Sequence, residues 1–266
     1  MGLREGDVWA ITLRKDEFLK SYAKAGKSLS RHIDGFLENP EARAVHDLRT
    51  AIRRIDAQLE LLPSRIRKGH QARELLRAHR KVMKRTAKVR DLDVMRAKVS
   101  RYEEGFLSAR LLKKIEKERR AFRKEAKRTV RSARKLSPPT VVSKDLPQGK
   151  LQKRFLKVAG ALTERINSLL PVVAKDPDKI AELHRLRIDC KRMRYTIELA
   201  PKARSAKILA LMEDWQDALG AIHDWDVTIS HLQGFDNPVA DELVLSGIRE
   251  RAREFRAFAS SVLNPA

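Results

Sequence analysis

The sequence predicts an all-α protein made of two four-helix bundle subdomains that arose by internal duplication. Three observations carry this reading. Apolar residues recur at helical spacing, no stretch sustains a two-residue alternation, and two sequence blocks return in the same order in each half of the chain.

Proline punctuates the pattern. The ten prolines (Pro40, Pro63, Pro138, Pro139, Pro147, Pro171, Pro177, Pro201, Pro238 and Pro265) fall between the apolar-periodic segments. Inside a helix each would cost about 3 kcal/mol. The intervening segments predict eight helices, near 10–38, 41–62, 70–102, 106–136, 149–170, 178–199, 203–233 and 239–263. SPPTVVSKDLPQG, from Ser137 to Gly149, reads as a linker. The chain therefore divides into a first half, 1–136, a linker, 137–149, and a second half, 150–266.

The halves match block by block. VHDLRTAIRRIDAQLELL, from Val45, aligns with LHRLRIDCKRMRYTIELA, from Leu183. In that register His46 meets His184, Arg49 meets Arg187, Arg53 meets Lys191, Arg54 meets Arg192 and Glu60 meets Glu198. Downstream, VRDLDV at Val89 aligns with IHDWDV at Ile222, so that Arg90 meets His223.

Composition narrows the partners. Hydrophobic residues are 42% of the chain, enough for a core, while charged residues are 35% and aromatics only 5%. So few aromatics argue against a β-sandwich and against stacking platforms for unpaired bases. The net charge of +23 points to nucleic acid, an anionic membrane surface or another polyanion. That charge is lopsided: residues 1–136 hold 38 basic and 18 acidic side chains, a net of +20, and residues 137–266 hold 20 and 17, a net of +3. No apolar run reaches the roughly 18–20 residues of a membrane span, and the N-terminal MGLREGDVWA lacks a signal-peptide core. The single cysteine, Cys190, excludes an internal disulfide. A soluble, cytoplasmic protein is expected.

The chemistry lies in basic stripes. At 100° per residue Leu48, Ile52, Ile55, Leu59 and Leu62 form one face of the second helix, while His46, Arg49 and Arg53 form another. The duplicate places Leu186, Cys190, Met193 and Ile197 on its core face and His184, Arg187 and Lys191, flanked by Arg194, on the second. A histidine followed by Arg or Lys at i+3 and i+7 presents a row of donors suited to phosphate oxygens. In the first half Lys20, Lys24, Lys27 and Arg31 form a stripe, as do Arg73, Arg77, Arg80, Lys84 and Lys88. The longest is Lys113, Lys117, Arg120, Lys124, Lys127, Arg131 and Arg134, a rail about 32 Å long. The second half is weaker: Lys150, Lys153, Arg154 and Lys157 open its first helix, Arg249, Arg253 and Arg256 mark its last, and MEDWQDALGAIHDWDV is acidic.

Other titratable residues read as structural. Asp91 with Asp93, and Asp224 with Asp226, do not share a helix face and lack the other ligands of a calcium loop, so pairing with arginines of a neighbouring helix, or capping after a helix break, is expected. Cys190 and His79 belong to apolar faces. His32, His70, His223 and His231 lack metal-ligand spacing, and no metal or cofactor is expected. No Walker A loop, GxSxG elbow, HExxH or CxxC pair is present, so an enzyme is not expected either.

The paired blocks VHDLRTAIRR and LHRLRIDCKR, followed by RDLDV and HDWDV, resemble the CHAD domain, the conserved histidine α-helical domain, over nearly the whole chain. The resemblance implies two four-helix subdomains related by a pseudo-two-fold axis, with a basic central channel that binds inorganic polyphosphate. It carries over His46, Arg49, Arg53, Arg54, His184, Arg187, Lys191 and Arg192 as anion-contacting residues. It further implies association with polyphosphate granules and with a CYTH-type triphosphate tunnel enzyme. That enzyme would be separately encoded, since these 266 residues leave no room for it. His223, where the first repeat has Arg90, departs from the pattern. A nucleic-acid-binding protein is the alternative that the charge equally allows.

Overall fold

The computed structural model describes residues 2–101 and 106–263. Among them the chain is all-helical, with no strand. In order come α1 (Glu5–Trp9), α2 (Lys15–Glu38), α3 (Ala42–Leu61), α4 (Ser64–Arg67), α5 (His70–Val99) and α6 (Phe106–Ala133). A 3₁₀ turn at Ser143–Asp145 leads to α7 (Gln148–Val173), α8 (Ile180–Ile197), α9 (Lys202–Leu232) and α10 (Pro238–Leu263). The eight expected helices are present. Tyr102, the expected end of the third, lies outside the described residues.

Two expectations are corrected. Pro171 lies inside α7. It sits in the last turn on an exposed face, where its ring meets no packed neighbour and only one intrahelical hydrogen bond is forgone. The first helix does not begin at residue 10, because residues 11–14 are not helical. Two glutamine amides of α7 bind that segment as a second backbone would. Gln152 accepts from Leu13 N and donates to Ile11 O, each at 2.8 Å. Gln148 donates to Leu13 O at 2.7 Å and accepts from Lys15 N at 2.8 Å. These partners satisfy polar groups whose helical bonds are absent.

Helices pack largely with their neighbours in sequence: α2 on α3, α5 on α6, α7 on α8, α8 on α9, and α9 on α10. Across the chain α3 meets α8 and α5 meets α9. The expected core face of α3 is sealed, with Leu48, Ile52, Ile55 and Leu59 at 1% exposure or less. It joins Leu186, Cys190, Met193 and Ile197 of α8 in one apolar core. A second, smaller core brings Leu92, Met95, Val99, Leu111 and Ile115 of α5 and α6 against Leu232, Ala240 and Leu243.

The second aspartate of each DxD element ties neighbouring helices together. Arg119 on α6 donates to Asp93 on α5 at 2.6 Å and to the carbonyl of Pro40 at 3.3 Å. Arg251 on α10 donates to Asp226 on α9 at 2.5 Å and to the carbonyl of Pro177 at 2.7 Å. Each arginine thus clamps a DxD helix to the chain just before a His-x-x-Arg helix. His79 is 1% exposed and its Nδ1 bonds Asp56 at 2.5 Å, a core histidine as expected.

Candidate functional site

The first aspartate of each DxD element points elsewhere, toward the place where α3, α5, α8 and α9 meet. Asp91 interacts with Arg49, Lys88 and Arg187, and Asp224 stands 3.9 Å from Arg187. Around these two carboxylates α3 brings His46, Arg49 and Arg53, and α8 brings His184, Arg187 and Lys191. Arg90 of α5 acts on His46, Arg49, Arg53 and Arg187. The His184 and His223 rings lie 4.9 Å apart. The i, i+3, i+7 spacing puts each row of donors on one helix face, and the crossing of α3 with α8 turns the two rows toward one another.

The cluster is short of negative charge, and its ionisation reflects that. Burial, reinforced by Arg187 and Arg53, lowers the Lys191 ammonium to about 6. Burial and Arg187 lower His223 to about 3. Burial, helped by Arg53, brings Arg49 down to about 10, where it stays charged at neutral pH. Arg53 and Arg187 are lowered by burial, opposed by Tyr195 and by Asp224 respectively. His46 and His184 fall below the usual histidine range, first through burial and then through the neighbouring cations. Burial raises the Asp91 carboxyl, against the pull of Arg49.

The two arginines at matched positions are held differently. Arg49 donates through Nη1 to Met83 O at 2.7 Å and to Thr86 Oγ1 at 3.0 Å. In the register of the RDLDV and HDWDV blocks, Thr86 corresponds to Leu219, which offers no acceptor. Arg187 Nε is buried and has no hydrogen-bond partner. A buried, unpaired guanidinium N–H is costly unless a ligand supplies the acceptor.

The sequence-derived residues separate into three groups. His46, Arg49, Arg53, His184, Arg187 and Lys191 come together, and Lys88 reaches them through Asp91. Arg54, Arg192 and Arg194 are instead engaged by carboxylates. Arg54 donates to Glu198 at 3.2 Å and Arg192 to Glu60 at 2.9 Å, a reciprocal pair of bridges between α3 and α8. Arg194 donates to Glu198 at 2.9 Å. The remaining stripes lie on outer faces. Lys20, Lys24, Lys27 and Arg31 are exposed on α2, opposite Phe18, Tyr22 and Leu29. Arg77 and Lys84 are exposed on α5. On α6, Lys113, Lys117, Arg120, Lys124 and Arg131 are exposed and Lys127 is half-buried, away from Leu111, Ile115, Ala126 and Val130, and Arg134 is exposed just past the helix end. Two of that rail have acidic partners, Arg120 with Glu116 at 3.2 Å and Arg134 with Asp34 at 2.8 Å.

Arg90, Asp91, Asp224, His223 and Tyr195 were not among the anion-contacting residues expected from sequence. A signal for four of them exists: the second repeated block places Arg90 and Asp91 opposite His223 and Asp224, as the first block places its own basic rows. Tyr195, which favours the charge of Arg53, carries no such signal. A cleft of about 710 Å³ lies elsewhere, between Trp9 and α7; it takes in none of the central cations, and an extended anion does not require an enclosed cavity. Among the described residues no cluster of three or more His, Cys, Asp or Glu side chains could hold a metal ion, and no helix is long and apolar enough to cross a membrane.

Fold and site together define an all-helical protein whose helices converge on a half-buried, cation-rich centre, with His46 and His184 exposed at its edge. The chain belongs to the CHAD domain family, whose family model matches residues 21–233. The crystal structure of the CHAD domain from the plant Ricinus communis is similar to it, with a TM-score of 0.60 and 18% identity over 100% of this chain and 91% of that one. At that identity the likeness is one of fold. No curated protein matches the chain.

Proposed function

We propose that the protein binds inorganic polyphosphate, or a polyanion of that kind, through the cluster at the meeting of α3, α5, α8 and α9. The observation that carries this is the charge deficit of the cluster. Arg49, Arg53, Arg90 and Arg187 converge with Asp91 and Asp224 as their carboxylates, burial depresses Lys191 and Arg49, and Arg187 Nε has no partner. Ions packed in this way repel and are poorly solvated unless an anion joins them. Phosphate oxygens supply several acceptors at once, which suits guanidinium forks.

In this reading the chain is a duplicated pair of four-helix halves, 1–136 and 150–266, joined by 137–149 and related by a pseudo-two-fold axis, with a basic channel between them. The recurring Asp–Arg–carbonyl clamp and the reciprocal bridges of Arg54 and Arg192 support that arrangement. The protein is a binding module without a reaction of its own, and acts in the cytoplasm, on polyphosphate granules or beside a CYTH-type triphosphate tunnel enzyme. Competition between long-chain polyphosphate and duplex DNA at physiological salt tests the choice of ligand. Displacement of polyphosphate by an equal phosphate concentration of DNA would favour the nucleic-acid alternative. Release of orthophosphate or shortening of the chain on incubation would overturn the non-enzymatic reading.

A further inference from the structure

We propose that the central cluster takes up a proton as it binds its anion, and that Lys191 is the residue that receives it; this rests on the anion-binding reading above. The geometry sets Lys191 apart. It occupies the place on α8 that Arg53 occupies on α3, but the Tyr195 hydroxyl favours the charge of Arg53. Among the described residues no carboxylate stands within ion-pair distance of the Lys191 ammonium.

Its surroundings are mostly basic on every side. From its own helix it meets Arg187 and His184, and from α3 it meets Arg49, Arg53 and His46. Helix α9 presents His223 and Asp224. On the α5 side the group comprises Arg90 and Asp91, which act on Arg49 and Arg187 beside it. Asp224 favours the charge of Lys191, and Arg187 and Arg53 each outweigh it.

An ammonium in this half-buried position has lost part of its water and gained like-charged neighbours, so the empty cluster favours the neutral amine near pH 7. A seated polyanion reverses both terms, by supplying acceptors and opposing charge. The amine nitrogen then takes a proton from solvent or buffer acid, becoming an ammonium, and no other bond changes. The arginines cannot do this because they are already protonated. Affinity therefore falls as pH rises above about 6, by about tenfold per unit for one linked proton, and levels off once the bound amine also deprotonates.

Calorimetric titration of the full chain with long-chain polyphosphate, in two buffers of different ionisation enthalpy at pH 7.5, measures the protons taken up. His46, His184 and His223 can take up protons too, and the weakly acidic end groups of the polyphosphate can release them. Lys191→Arg, which keeps a fixed charge at the position, isolates Lys191. The wild type should take up close to one proton more per bound site than Lys191→Arg, and the affinity of the variant should fall less steeply between pH 6.5 and 8.5. Lys191→Met should bind more weakly and lose the same proton. Equal uptake by wild type and Lys191→Arg overturns the proton linkage while leaving anion binding intact. Absence of binding by a folded wild type overturns both.

Discussion

Arg119 Nε donates to Asp93 Oδ1 at 2.6 Å, with the arginine side chain 1% exposed and the aspartate side chain fully covered. Removing one partner leaves the other charged and buried, which typically costs about 3–5 kcal/mol. Arg119→Ala should therefore lower the stability of the fold by roughly that amount in urea denaturation. The matched pair, Arg251 with Asp226, is 14% exposed at both side chains, so Arg251→Ala should cost less. Equal losses would show that the two clamps are energetically alike despite their different burial.

The site and the outer rail make different predictions for binding. Arg49 and Arg187 lie in the cluster, while Lys124, Lys127 and Arg131 face away from the apolar side of α6. The double variant Arg49→Ala with Arg187→Ala should weaken polyphosphate binding by at least tenfold, since each charge-assisted hydrogen bond contributes about 1.5–3 kcal/mol. Reversing Lys124, Lys127 and Arg131 to Glu should weaken binding of a short chain, one that fills only the centre, far less. Circular dichroism would show whether both variants keep the fold. A larger loss from the rail variant with a short chain would mean that the anion path runs over α6 and not through the cluster.

What the sequence disclosed depended on whether one helix sufficed. The apolar stripe from Leu48 to Leu59 and its opposing His46–Arg49–Arg53 row follow from 3.6-residue periodicity, and both are present. The expectation that DxD aspartates would meet arginines of the neighbouring helix holds for Asp93 and Asp226. Asp91 and Asp224 turn toward the centre, because residues two apart point to different faces. The direction of the α6 rail could not be read, since a helical wheel gives a face but not what stands opposite it. Glu60 and Glu198 capture Arg192 and Arg54 only because α3 crosses α8. The extended stretch before α2 depends on Gln148 and Gln152, more than 130 residues away in sequence. Lys191 and Arg53 looked equivalent in the repeat; burial among cations acts on both, and they differ because a lysine there can give up its proton near neutral pH whereas an arginine keeps it.

Salt should weaken binding steeply. A single-stranded polyanion loses about 0.7 counterions for each phosphate neutralised. Engaging Arg49, Arg53, Arg90 and Arg187 would give a slope of about −3 in log affinity against log salt. Titrations between 50 and 300 mM salt would measure it. A nearly flat dependence would point to a compact pocket for one small anion, and would contradict a multi-cation path.

Lys191 also makes the fold itself sensitive to pH, and the sign follows from its shift. Its folded value, about 6, lies below the ordinary 10.5 that it regains on unfolding. Between those values the unfolded chain binds more protons than the folded one, so this residue's contribution to stability rises with pH across that window. Below about 6 the lysine is charged in both states, and the full penalty of burying that charge is borne by the fold. Lys191→Met has no such penalty. Its stability relative to wild type should be greatest at or below pH 6 and should shrink steadily toward pH 10. Denaturant melts of both proteins at several pH values, without polyanion, would measure the difference, in which other titrating groups largely cancel. A difference that stays constant from pH 6 to 9 would show that Lys191 keeps its proton in the folded chain. In that case the charge deficit of the centre would have to be relieved by solvent, not by deprotonation.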